Sequence, residues 1–392
     1  MVDETASRLG MSHEAALRPA PAGVPRSAAF RIACWPRSSG NAYQAEFYAA
    51  LRPSGVEVLY PPVIDDAWLR TTKRSVDALH MHWPESLWRT RGRSWLGHLR
   101  GIVGLERFLQ AAKRKLKLIW TVHNLEPHES PSRLDRLGYS RLARHADLLI
   151  VHSRVSCEQL RAAYRPRGRV VMMYHGSYAR RPVPREDHAR LRRQFGLEHR
   201  SPLGCCVGNL REYKCFDLAV AAVRRMSRDF RLVVAGAPHP DFDLLRMSQL
   251  SAGDPRIRLI PRRLTDAEFD ELVSLSTAVL LPYRKITSSG ALLFALARGR
   301  SVIASDLPYF REICAPEPEA ATFFAPGDSA GLARAIERHL EIPEPRRCAA
   351  ALRLSAHYAW DRCIPPVAAV LQQWVRQKQD PSGDTLLCPV PR

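Results

Sequence analysis

Leu203-Gly204-Cys205-Cys206-Val207-Gly208-Asn209-Leu210-Arg211-Glu212-Tyr213-Lys214 is the stretch that decides the fold class. The run Leu203–Val207 is short and apolar, the pattern of a strand buried on both faces. Gly208 permits a tight turn, and an apolar helical period follows over residues 216–226. Strand, turn and helix in that order form the repeating unit of a parallel α/β sheet. Arg211 and Lys214 add two cations near a helix N-terminus, where free N–H groups already favour anions. A cation pair there suggests a phosphate partner. Two solvated basic residues on a loop are the plainer alternative.

The same alternation continues on both sides. Downstream, residues 231–235, 257–260, 278–281, 302–305 and 322–325 read as strands, separated mostly by helical patterns at 266–274, 290–298 and 330–340. Upstream, residues 31–35, 56–60, 78–82, 118–123, 148–152 and 170–174 form a second set. A polar, Pro- and Arg-rich stretch at 177–200 separates the two sets. The expectation is two doubly wound, Rossmann-like α/β domains facing across a cleft, at 28–178 and 179–357. Residues 1–27 read as a disordered leader, 358–377 as a helix crossing back to the first domain, and 378–392 as a tail. Ligands of such sheets bind beyond the carboxyl ends of the strands, so functional residues belong just after strands.

Composition narrows the class. The chain of 392 residues is 46% apolar and 25% charged, ordinary for two globular domains. The apolar runs are too short to span a bilayer, and no export signal is visible, so a cytoplasmic location is expected. Nine cysteines without a CxxC pair argue against a disulfide framework and against zinc. The net charge of +20 points to a polyanion: nucleic acid, an anionic membrane or a phosphorylated substrate. An Arg-rich surface without functional meaning is the bland alternative.

A second cluster, Leu281-Pro282-Tyr283-Arg284-Lys285-Ile286-Thr287-Ser288-Ser289-Gly290, again leads from strand to helix. Thr287, Ser288 and Ser289 suit an N-cap, and hydroxyls with free N–H groups can also hold a diphosphate. Two such cradles in one domain are unlikely by chance. Here the sequence resembles the GT-B glycosyltransferases: 207–217 is similar to their G-x-L-x-x-x-K-G segment, and 282–312 to their donor-binding region. The largest retaining family carries an E-x7-E pair there. Aligned on Gly299, those places hold Ile286 and Phe294, so both carboxylates are missing.

The closer resemblance is to the family of the xanthan-assembly β-1,4-mannosyltransferase. Its motifs look like His82-Trp83-Pro84-Glu85, His123-Asn124-Leu125-Glu126-Pro127-His128-Glu129, Arg211-Glu212-Tyr213-Lys214 and Ser289-Gly290-Ala291-Leu292-Leu293. Cys215 replaces the usual Gly after Lys214. The resemblance implies the GT-B fold, an inverting transfer from GDP-mannose, and a polyprenyl-diphosphate-linked saccharide acceptor.

Inversion needs a base for the acceptor hydroxyl and cations for the departing diphosphate. Glu129 is the first-choice base, with Glu85 and His123 as the other candidates; Arg211, Lys214, Ser288, Ser289 and Gly290 form the donor side. The loop Ser38-Ser39-Gly40-Asn41 could approach the diphosphate from the other wall. No metal and no cofactor beyond the nucleotide sugar is expected. Asp241-Phe242-Asp243 spells DxD but reads as a solvated turn.

Residues 89–117 hold nine Lys or Arg against one acid, Glu106, with Trp95, Leu99, Ile102, Val103, Leu109 and Ala112 at helical spacing. A basic amphipathic helix suits an anionic membrane surface, which places the protein peripherally at the inner face of the plasma membrane; a core-packed helix with a solvated face is the alternative. Three rivals remain: a retaining GT-B transferase, a nucleotide-sugar 2-epimerase and a nucleic-acid-binding protein. The last lacks any zinc-finger spacing or RNP-like motif, so no nucleic-acid partner is expected.

Overall fold

The structure, a computed structural model, describes residues 29–38, 42–72, 75–89, 95–127, 132–179, 193, 201–240 and 242–379. The expected leader, most of the 177–200 linker and the end of the tail lie outside these residues, as do Gly40, Asn41 and Glu129.

The first sheet contains β1 (Phe30–Trp35), β2 (Val56–Leu59), β3 (Ala78–Met81), β4 (Lys117–Thr121), β5 (Leu148–Val151) and β6 (Arg169–Met172). Its order is β2-β1-β3-β4-β5-β6, all parallel. The second contains β7 (Leu203–Val207), β8 (Arg231–Ala235), β9 (Ile257–Ile260), β10 (Ala278–Leu281), β11 (Val302–Ser305) and β12 (Ala321–Phe324). Its order, β12-β11-β10-β7-β8-β9, is that of the doubly wound dinucleotide-binding fold. The strand order reverses between β1 and β3 in one sheet and between β7 and β10 in the other, so each has a crevice there. Every residue of β3, β5, β7, β10 and β11 is buried, as helices on both faces require.

Helices α1 (Ala42–Leu51), α2 (Asp66–Thr71), α3 (Trp95–Lys113), α4 (Arg133–His145) and α5 (Arg154–Tyr164) cover the first sheet. The second carries α6 (Phe216–Arg225), α7 (Leu244–Ser251), α8 (Asp266–Leu275), α9 (Gly290–Ala297), α10 (Pro308–Cys314), α11 (Ser329–Glu341) and α12 (Glu344–His357). The chain then forms α13 (Trp360–Cys363) and α14 (Pro365–Gln379), the latter packed on β1 and β6 of the first sheet. Trp360 Nε1 donates to Glu46 at 2.6 Å, and Lys378 Nζ to Asp77 at 2.8 Å.

A second tie holds the two sheets together. Glu312 of α10 accepts from the backbone N–H groups of Arg154 and Val155, at 2.7 and 3.2 Å, at the open N-terminus of α5. An anion there satisfies orphan donors and meets the positive end of the helix.

The basic amphipathic segment is divided between core and surface. In α3, Ile102, Leu109 and Ala112, half of the six stripe residues, are buried in the first domain's core against the sheet. What α3 does expose is Trp95, Leu96 and Val103. Arg89, counted with the basic run, instead turns inward to an ion pair with Asp135 at 2.7 Å. Asp243 of the DxD run caps α7, accepting from Arg246 N; Asp241 is outside the described residues.

Candidate active site

The crevices of the two sheets meet in a cleft of about 580 Å³ lined from both domains. On the first domain's side stand Trp83, Glu85, Arg89, His123, Asn124 and Pro127; facing them are Asn209, Arg211, Tyr213, Lys214, Ser288 and Gly290. Of the sequence candidates, Glu85, His123, Arg211, Lys214, Ser288 and Gly290 therefore share one space.

Lys214 ends a 3-10 turn, Glu212–Lys214, between β7 and α6. Its side chain is buried, with the ammonium about 5.6 and 5.8 Å from the ring centres of Phe216 and Tyr283. No carboxylate pairs with it among the described residues. Burial, reinforced by the Arg211 charge, lowers its pKa to about 8. Gly208 has φ +98, a left-handed turn position that favours glycine, and a Cβ there would stand 3.0 Å from Lys214 Nζ and press on the ammonium. Cys215 takes φ 48, a left-handed position that glycine occupies more cheaply.

The α9 N-terminus faces the same cleft. Gly290 leaves room for the Tyr178 hydroxyl, which would lie 2.8 Å from a Cβ. Ser289 takes the capping role its sequence position allows: its hydroxyl accepts from Leu292 N at 3.2 Å, its N–H donates to Tyr309, and it is not among the residues lining the cleft. Ser288 does line it.

Across the cleft, Glu85 lies on the 3-10 turn Pro84–Leu87 that follows β3. Burial raises its pKa, and a hydrogen bond donated by Tyr139 of α4 opposes the rise. Behind it Asp135 accepts two bonds from Arg89 and one from Trp88 Nε1. Burial disfavours the Asp135 charge, but these bonds and those from Ser132 outweigh it and hold its pKa well below the carboxylate range.

His80 and His82 face one side of β3 and its extension, as alternation requires, with ring centres 4.2 Å apart. His80 bonds Tyr48 at 2.7 Å and Thr121 at 2.8 Å; His82 Nδ1 bonds His123 Nε2 at 3.1 Å. His123 also stacks on Trp83, centroids 4.5 Å apart. Burial, then the neighbouring imidazoles, pushes the pKa of His123 far below its ordinary value, so it is neutral at pH 7.

Sequence reasoning missed a second cavity, of about 530 Å³, adjoining the first through Asn209. It lies beyond β7, β8 and β9 and is lined by Gly208, Gly236, Arg263, Asp266 and Phe269, with Arg37 and Ser38 from the first domain. The loop after β1 thus reaches this cavity. The strand-end rule applied to β8 and β9 was the available signal.

Residues 201–341 match the family described as glycosyl transferases group 1. The chain is 26% identical over 277 residues, 69% of its length and 71% of the relative's, to the GDP-mannose:glycolipid 4-beta-D-mannosyltransferase of Xanthomonas campestris pv. campestris. Among solved structures it is similar to Anabaena Alr3699/HepE in complex with UDP, with TM-score 0.66, 16% identity and coverage of 88% of this chain and 100% of that one. It is also similar to sucrose-phosphate synthase from Thermosynechococcus elongatus, with TM-score 0.63, 17% identity and coverage of 91% and 97%. The two six-stranded parallel sheets are those of the GT-B fold.

Proposed function

We propose that this chain, a glycosyltransferase of GT-B fold with a group 1 domain at residues 201–341, transfers mannose from GDP-mannose, with inversion, to a lipid-linked saccharide. The observation that carries the reading is the buried, carboxylate-free ammonium of Lys214, set across one cleft from Glu85. An unpaired buried cation is costly, and a diphosphate is the partner that would relieve it.

With the diphosphate between Lys214, Arg211 and the α9 N-terminus, the nucleoside extends through Asn209 into the 530 Å³ cavity. Asp266 lines that cavity. Guanine presents adjacent N–H donors to such a carboxylate, whereas uracil flanks its single N–H with carbonyls; this favours GDP, in agreement with the name of the Xanthomonas relative.

In the reaction the acceptor hydroxyl oxygen forms a bond to the sugar's anomeric carbon as the bond to the diphosphate breaks. The electron pair leaves with the nucleotide, where Lys214 and Arg211 stabilise it. The hydroxyl proton passes to a base. Among the described candidates Glu85 suits this best, because a carboxyl with a raised pKa is a stronger base, whereas His123 is a weakened one. Glu129 keeps its candidacy from sequence alone. Inversion is supported by Ile286 and Phe294 at the two carboxylate places of the retaining pattern; Phe294 stacks among Tyr178, Phe269 and Arg298.

No metal enters this scheme. The test is thermal unfolding with GDP, UDP or ADP in the presence of a chelator. A ligand at ~100 times its Kd adds ~2.7 kcal/mol. GDP is expected to stabilise most; stabilisation only with Mn²⁺ or Mg²⁺ would overturn the metal-free reading.

The acceptor's lipid brings the enzyme to a membrane, which it is proposed to meet peripherally, on the inner face of the plasma membrane, through Trp95, Leu96 and Val103, the exposed apolar residues of α3. No described helix is long and apolar enough to cross a membrane.

A further inference from the structure

A third cavity, of about 570 Å³, lies between the domains beside the cleft, and neither the donor scheme nor the base uses it. Its volume is within the range of about 300–1,000 Å³ usual for small-ligand sites. Four elements build it: the face of α5 carrying Gln159, Ala162 and Ala163, Arg136 of α4, the loop after β4, and the loop after β10.

The last two loops also wall the cleft, and they divide their residues between the two spaces. Asn124 and Pro127 line the cleft while Leu125 and Glu126 line the third cavity. Ser288 and Gly290 line the cleft while Lys285, Ile286 and Thr287 line the third cavity. Both loops are fastened to α5. Tyr164 donates its hydroxyl hydrogen to the Leu125 carbonyl at 2.5 Å, and Ser156 Oγ donates to the Thr287 carbonyl at 3.2 Å. The cavity therefore has a bonded frame and shares two wall loops with the cleft.

We propose that this groove is an acceptor subsite that holds the sugar units of the acceptor next to the one being glycosylated. The proposal rests on the reading that the acceptor is a saccharide. The lining matches that chemistry: Gln159 offers both a donor and an acceptor, Arg136 and Lys285 donate, and Glu126 accepts from hydroxyls. Ala162, Ala163 and Leu125 give small apolar surface for the C–H faces of sugar rings. A polyprenyl chain would need a continuous apolar wall, which the Glu126–Arg136 ion pair at 3.8 Å interrupts.

Ala163 is exposed, so Ala163→Trp fills the groove from the surface without disturbing a core. The test titrates the full chain, saturated with GDP, with β-linked gluco- and manno-oligosaccharides from mono- to pentasaccharide, followed by ligand-observed NMR. The wild type is expected to bind the longer members at least tenfold more tightly than the monosaccharide. Ala163→Trp should abolish that gain, and Gln159→Ala should lower it about fivefold, the scale of one neutral hydrogen bond, with GDP affinity and slow donor hydrolysis unchanged. An undiminished gain in Ala163→Trp overturns the subsite, as does a wild type that binds GDP but no oligosaccharide. Ala163→Trp-sensitive capture of a long-chain alkyl phosphate instead of sugar overturns it in favour of lipid. A length gain that Ala163→Trp abolishes in a chain that binds no nucleotide supports the groove and overturns only the donor reading.

Discussion

Replacing Lys214 with methionine separates the two consequences of burying a cation without a carboxylate. The fall of its pKa from 10.5 to about 8 corresponds to about 3 kcal/mol of disfavoured charge in the folded, unliganded protein. Folded Lys214 binds its proton more weakly than the unfolded chain does, so the penalty is fully present below pH 8. It is relieved as pH rises from about 8 to 10.5. Methionine removes it, and unliganded Lys214→Met should be more stable than wild type at pH 7 by up to about 3 kcal/mol. Nucleotide binding should move oppositely. A hydrogen bond to a charged group is worth about 1.5–3 kcal/mol, so GDP affinity should fall roughly ten- to a hundredfold. In the wild type a bound diphosphate restores the charge, so affinity should decline above pH 8 with proton uptake on binding. Urea unfolding from pH 7 to 10, and calorimetric titration with GDP in two buffers of different ionisation enthalpy, measure both arms. Wild-type affinity unchanged between pH 7 and 9, or unaltered GDP binding by Lys214→Met, would refute the reasoning.

Glu85→Gln should keep GDP affinity while lowering kcat by ~10²–10⁴-fold, and Glu129→Gln made in parallel assigns the base to whichever change abolishes turnover. If both variants turn over fully, neither carboxylate is the base. Cys215→Gly should stabilise the protein by about 1 kcal/mol by relieving the left-handed position at φ 48; a lower denaturation midpoint would show that the thiol's packing matters more. Trp95→Ala with Leu96→Ala should weaken binding to anionic vesicles, since both side chains are exposed on α3. Unchanged vesicle partition removes α3 from the membrane account.

The fold was readable because the strands of a largely buried parallel sheet are short apolar runs set between helical patterns. Leu203–Val207, Arg231–Ala235, Ile257–Ile260, Ala278–Leu281 and Val302–Ser305 agree with the sequence reading to the residue. That Lys214 and Gly290 share one cleft was readable for a similar reason: each lies in a segment leading from strand to helix, and the topology brings strand ends together. The α3 stripe was ambiguous because a core and a membrane select the same amphipathic period; the sheet beneath Ile102 and Leu109 claims part of it. Ser289 was ambiguous because capping a helix and holding a phosphate use the same hydroxyl. Tyr139 on Glu85 and Asp135 on Arg89 were invisible, since each pair is separated by a helix and a strand in the chain. Glu129, Gly40 and Asn41 lie outside the described residues.

The anomeric configuration of the product tests the central claim most directly. The purified protein is supplied with GDP-α-mannose and a saccharide acceptor, and the new linkage is read from its one-bond carbon–proton coupling by NMR. Transfer supported by Glu85 or Glu129, with Ile286 and Phe294 in place of the retaining carboxylates, predicts a β-mannoside. An α-mannoside would contradict the inverting account, and release of free mannose derivatives without any acceptor-linked product would contradict transfer itself.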